Sequence, residues 1–141
     1  MQQPSQQPSQ QPPQPPQQPA YNFLKQVVMN RVTFEQALQY NSSIGKHTLI
    51  KLTATWCGPC KTIKTLTIQR VSMLPQSIEC YEVDVDASSD MYAYLKQRRM
   101  VNGIPAFLFY NAGNVSVAPD DSLTGAHIPS VNLFFDRCMK K

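Results

Sequence analysis

No run of about 18 apolar residues occurs anywhere in this 141-residue chain, so no membrane-spanning helix is expected. The basic start and apolar stretch of an export signal are missing too, because the first nineteen residues, MQQPSQQPSQQPPQPPQQP, hold only Met, Gln, Pro and Ser. A reducing intracellular compartment such as the cytoplasm is therefore expected. With no charge to pair and nothing apolar to bury, residues 1–19 read as a disordered tail whose prolines favour polyproline II. Residues 20–141 are then one domain with one core. Its formal net charge of +4 is modest, and the lysines and arginines are scattered rather than massed. Nucleic-acid binding, which asks for a concentrated basic patch, is not expected. Histidine is scarce: His47 and His127 stand alone and there is no second C-x-x-C, so a zinc site lacks ligands and no metal is expected.

What is present is a regular alternation of elements. Thr33 to Tyr40, TFEQALQY, has a capping-box spacing and predicts a helix capped by Thr33. Lys25 to Met29 fits a short edge strand or the end of a helix. Leu49 to Thr55, LIKLTAT, alternates as a strand and carries one misplaced lysine, Lys51. A helix follows from Cys57 to Leu74, then a strand from Ile78 to Val85, then a capped helix from Ser88 to Met100. AFLFY, a turn at NAGN and a second run VSVA predict a hairpin. Val131, Phe134, Phe135 and Cys138 lie at i, i+3, i+4 and i+7, the buried stripe of a closing helix begun at Pro129. Early alternation implies parallel crossovers and the late hairpin adds antiparallel strands. The fold class is α/β: a mixed central sheet with helices on both faces.

The stretch Thr53 to Thr62, TATWCGPCKT, holds the densest chemistry. A C-x-x-C pair alone is compatible with a metal clamp, a structural crosslink or a working redox couple. The missing ligands weaken the first and the reducing compartment weakens the second. A strand ending at Trp56 and a helix beginning at Cys57 would favour a thiolate at Cys57, since a helix N-terminus offers free amides and partial positive charge. Cys60, one turn on, could close on a mixed disulfide made by Cys57. Gly58 permits close approach of another backbone, and Pro59 suits a first helical turn. Cys80 in a strand and Cys138 on an apolar helix face read as small core residues.

Taken together, WCGPC after an apolar strand, Gly103-Ile104-Pro105 before AFLFY, Asn111 to Val115, and Gly125-Ala126 before the last helix resemble thioredoxin, over Lys25 to the C-terminus. The resemblance implies a thioredoxin-like fold and reduction of disulfide-containing protein substrates, with Cys57 as nucleophile and Cys60 as resolving cysteine. It implies a cis-proline at Pro105 and an extended substrate strand added at Ile104. Trp56, Gly58, Pro59, Ile104, Pro105 and Gly125 would form the groove. It also implies a monomer without bound cofactor, recycled by an NADPH-dependent flavoprotein, the thioredoxin-reductase-like donor. Gly-Pro between the cysteines resembles the reducing members; a disulfide oxidase or isomerase and a thioredoxin-like binding module with little turnover are the alternatives.

One departure from the family's pattern concerns charge. Where thioredoxins usually carry a buried aspartate before the motif and a lysine on the neighbouring strand, this chain has Lys51 and Glu82. The two are expected side by side beneath Cys60, either with Glu82 as a proton relay partnered by Lys51 or as a simple ion pair. Thr53 replaces a common aromatic, and the link from Gly113 to Gly125 is longer than usual.

Overall fold

The computed structural model describes residues 12, 13 and 21–141. The tail expected over 1–19 lies, apart from Pro12 and Pro13, outside the described residues.

Five strands form one mixed sheet: β1 (Lys25–Gln26), β2 (His47–Thr53), β3 (Ile78–Asp84), β4 (Ala106–Tyr110) and β5 (Asp121–Thr124), in the order β1-β3-β2-β4-β5. The pairs β1/β3 and β2/β3 are parallel, whereas β2/β4 and β4/β5 are antiparallel. The helices are α1 (Arg31–Ser43), α2 (Gly58–Thr62), α3 (Lys64–Ser72), α4 (Ser89–Gln97) and α5 (Ile128–Met139). Strand alternation sorts the core into two layers. Ile50, Leu52, Val83 and Leu108 pack with Phe34 and Leu38 of α1 and with Met91 and Leu95 of α4. Leu49, Cys80, Phe107 and Phe109 pack with Val71 of α3 and with Val131, Phe134, Phe135 and Cys138 of α5. Cys80 and Cys138 are both fully buried free thiols, and burial pushes the Cys138 thiol up to about 12.

Four local expectations are corrected. Thr33 is not the cap of α1: Asn30 is, its side chain accepting from the Thr33 amide while the Thr33 hydroxyl accepts from the Asn30 amide. That is a capping box shifted by one turn, with Thr in the place usually held by Glu or Gln. The helix after the cysteines breaks at Ile63, where Thr62 Oγ1 donates back to the Gly58 carbonyl (3.2 Å) and Thr67 Oγ1 to the Ile63 carbonyl (2.7 Å), a pattern that bends helices. Ser88 precedes α4 but makes no side-chain cap; its Oγ instead accepts the buried Met29 amide at 2.9 Å. The second hairpin strand is Asp121–Thr124, not VSVA. Asn114 holds Ser116, Ala118 and Asp120 through its side chain, so local bonds win over the strand ladder there.

The register places one end of the sheet under the motif. Thr53 closes β2 opposite Asp84, the last residue of β3, and Leu52 lies opposite Ala106, the first of β4, which in turn faces Thr124, the last of β5. The residues that follow β2, β3 and β5, and those that precede β4, therefore converge on one edge of the domain.

Candidate active site

Cys57 sits where β2 gives way to α2. Its extended backbone (φ −83°, ψ 106°) makes it the residue before the helix, and its Sγ receives the Cys60 amide at 3.2 Å. The two cysteines are joined by a disulfide, with Cα atoms 5.3 Å apart. Once that bond opens, the same amide stabilises charge on Cys57. Pro59 has no amide to leave unsatisfied in this first turn. Trp56 is exposed (66%) beside the pair, and its indole N–H donates to Asp86 at 2.7 Å. Asp84, two residues earlier, accepts the Asp86 and Ala87 amides and so fixes the turn that presents Asp86. Neither aspartate is assigned a role from the sequence, and the indole contact is missed there. The available signal was an acidic residue just past a strand that ends level with the motif.

The Ile104–Pro105 peptide is cis, and the Pro105 carbonyl accepts the Gly125 amide at 2.8 Å. Gly125 adopts φ +105°, in the left-handed region that glycine favours, so it can make this link where β5 leaves the sheet. Ile104 is half-buried, and its backbone makes no hydrogen bond among the described residues. Gly58 is exposed. Trp56, Gly58, Pro59, Ile104, Pro105 and Gly125 thus all lie at the edge where the strand ends converge.

Behind the disulfide is an open cavity of about 530 Å³ whose lining includes Lys51, Cys60, Lys61, Lys64, Glu82 and Asp84. Cys60 faces it and Cys57 does not, which separates the two sulfurs chemically. Lys51 and Glu82 are direct partners across β2 and β3, with Nζ and Oε2 3.5 Å apart; the Lys51 side chain is 2% exposed and that of Glu82 20%. Burial lowers the Lys51 pKa from its ordinary value, Glu82 opposes that by charge and hydrogen bond, and Lys64 adds to the lowering. Among the described residues no group of three or more His, Cys, Asp or Glu could hold a metal ion, and no helix is long and apolar enough to cross a membrane.

Comparison with known proteins decides the family. The thioredoxin family model matches residues 25–131. The chain belongs to the thioredoxin family. It is 32% identical over 106 residues to thioredoxin from Geodia cydonium, which covers 75% of this chain and 87% of that protein. It is 34% identical over 86 residues to thioredoxin from Bos taurus, covering 61% of this chain and 75% of the bovine one. Among solved structures, poplar wild-type thioredoxin h superposes with a TM-score of 0.66 at 27% identity, covering 84% of this chain and 97% of its own. The thioredoxin of Trichomonas vaginalis, at TM-score 0.63 and 19% identity, shares the fold. The protein is accordingly a dithiol thiol-disulfide oxidoreductase, a protein-disulfide reductase whose redox-active pair is Cys57 and Cys60. Thioredoxins carry no cofactor of their own; the electrons reside in the cysteine pair.

Proposed function

We propose that Cys57 is the attacking sulfur and Cys60 the resolving one. The observation that carries this reading is the asymmetry between them: Cys57 receives a helix amide, whereas Cys60 faces the charged cavity. A Cys57 thiolate attacks one sulfur of the substrate disulfide, forming a mixed disulfide and expelling the first substrate thiolate. Cys60, deprotonated, attacks Cys57 Sγ, expels the second thiolate and leaves the Cys57–Cys60 disulfide. Two electrons have passed from the dithiol to the substrate.

Glu82 takes the Cys60 proton through the cavity, and its pairing with Lys51 aims the carboxylate. Ile104, whose backbone makes no hydrogen bond among the described residues, pairs with an extended substrate segment, while Trp56, Gly58, Pro59, Pro105 and Gly125 shape the groove around it. The chain acts as a monomer, and an NADPH-dependent flavoprotein reductase returns electrons to the pair. A reducing compartment such as the cytoplasm suits two core thiols, Cys80 and Cys138, that remain unoxidised.

The test is reduction of a protein disulfide driven by dithiothreitol. Cys57→Ser should abolish it, and Glu82→Gln should slow release of the mixed disulfide in single turnover across about pH 6–8. Unchanged release kinetics in Glu82→Gln would remove the relay from the mechanism.

A further inference from the structure

Charge around the inner cavity is unbalanced. Lys51, Lys61 and Lys64 line it against two carboxylates, Glu82 and Asp84. Lys51 is the deepest of these groups, and its separation of 3.5 Å from Glu82 is long for a charge-assisted hydrogen bond, which closes to about 2.7–2.9 Å when well made. Glu82 is also partly open to water, so its field is screened while the lysine stays enclosed. The ammonium therefore lacks a full counter-charge so long as the cysteines are oxidised, because a disulfide carries none. Reduction changes that. It creates a sulfur that can ionise, and Cys60 is the one on the cavity wall.

We propose that Lys51 is a positioning residue whose charge, acting across the cavity on the side of the pair that Cys60 presents, stabilises the single negative charge carried by the reduced Cys57/Cys60 pair and thereby shifts the couple toward the reduced form, making it a weaker reductant than the same site without this cation. The proposal rests on the reductase reading above and adds a setting of the redox balance that the Cys57 helix contact alone does not supply. In the couple, two electrons and one proton convert the disulfide into one thiol and one thiolate, and two glutathione thiols supply the electrons as they become glutathione disulfide. Cys57 and Cys60 titrate as a coupled pair, so the charge is read as the pair's total thiolate. Lys61 and Lys64 act in the same direction as Lys51 from the rim, and Glu82 and Asp84 oppose it. None of those four is as enclosed as Lys51.

The experiment measures the equilibrium with glutathione, together with thiolate ultraviolet absorbance against pH, for the wild-type chain, Lys51→Met and Lys51→Met/Glu82→Gln. The double variant keeps the shape of the pair without charge and guards against a single variant that fails to fold. Loss of the cation should raise the oxidation equilibrium constant about tenfold in both variants, equivalent to about 30 mV for this two-electron couple, and move thiolate formation to higher pH. Constants within about twofold of wild type in both variants would overturn the proposal. So would a shift confined to Lys51→Met, which would trace the effect to an unpaired Glu82. A wild-type pair that did not exchange with glutathione at all would instead overturn the reductase reading, whatever the variants did.

Discussion

Lys51→Met in the oxidised protein gives a prediction that involves no cysteine titration. Lys51 is 2% exposed, and burial holds its folded-state pKa below the ordinary 10.5. The folded protein therefore gives up this proton at a lower pH than the unfolded chain does. Between those two values the unfolded chain holds one proton more, so stability rises with pH, at most by about 1.4 kcal/mol per pH unit for one proton. Below the folded-state value both states are protonated, and the buried ammonium is a standing cost that Glu82 only partly offsets. Exposed lysines and tyrosines titrate in the same range, but they do so in both proteins and cancel in the difference. Urea unfolding of the wild type and Lys51→Met at a series of pH values approaching 10.5 is the assay. The wild type should gain stability relative to the variant as pH rises through that window, and Lys51→Met should be as stable or more so near neutrality. Parallel curves over the whole window would refute the claim that the enclosed lysine is strained by its burial.

Ser88→Ala removes the acceptor of the buried Met29 amide and should cost about 1–3 kcal/mol, with faster hydrogen exchange at that amide. A loss under about 0.5 kcal/mol with unchanged exchange would mean the contact contributes nothing. Burial raises the Glu79 carboxyl, but hydrogen bonds from Lys25 and Lys46 outweigh it and hold the group below its ordinary 4.5. Its contribution is therefore present above 4.5 and lost as pH falls through the lower folded-state value, so Glu79→Gln should flatten that part of the acid unfolding curve. Asp86→Ala frees the exposed Trp56 indole, and indole fluorescence anisotropy should fall while the disulfide still forms; unchanged anisotropy would show that other contacts hold the ring.

The parts of the fold read correctly from sequence are those where a long-range core and a local pattern agree. The alternation of Leu49 to Thr53 and the stripe Val131, Phe134, Phe135 and Cys138 each bury as their periods require. The errors lie where short polar side chains choose between equivalent bonds. Asn30 takes the cap expected of Thr33, and Ser88 turns to a distant amide instead of its own helix. Asn114 ties the loop around Ser116, so the run VSVA never reaches the sheet. Local pattern ranks those bonds poorly: Thr33 serves equally as a cap or as the partner of one, and the amide that claims Ser88, that of Met29, comes from far along the chain. At the site, the redox pair and the neighbouring of Lys51 and Glu82 were legible through the resemblance carried by WCGPC and its companion motifs, and the β2/β3 register sets Lys51 directly opposite Glu82. The indole acceptor Asp86 and the lysine excess around the cavity required three dimensions, since both depend on how β2 and β3 end relative to α2.

The central claim is that Cys57 takes the substrate sulfur and Cys60 sets it free. Incubating the reduced Cys60→Ser chain with a disulfide-containing protein and weighing the product by mass spectrometry tests it most directly. A stable covalent adduct through Cys57, absent in Cys57→Ser and released by the wild-type pair, is the predicted result. No adduct in Cys60→Ser, or an equal adduct in Cys57→Ser, would contradict it.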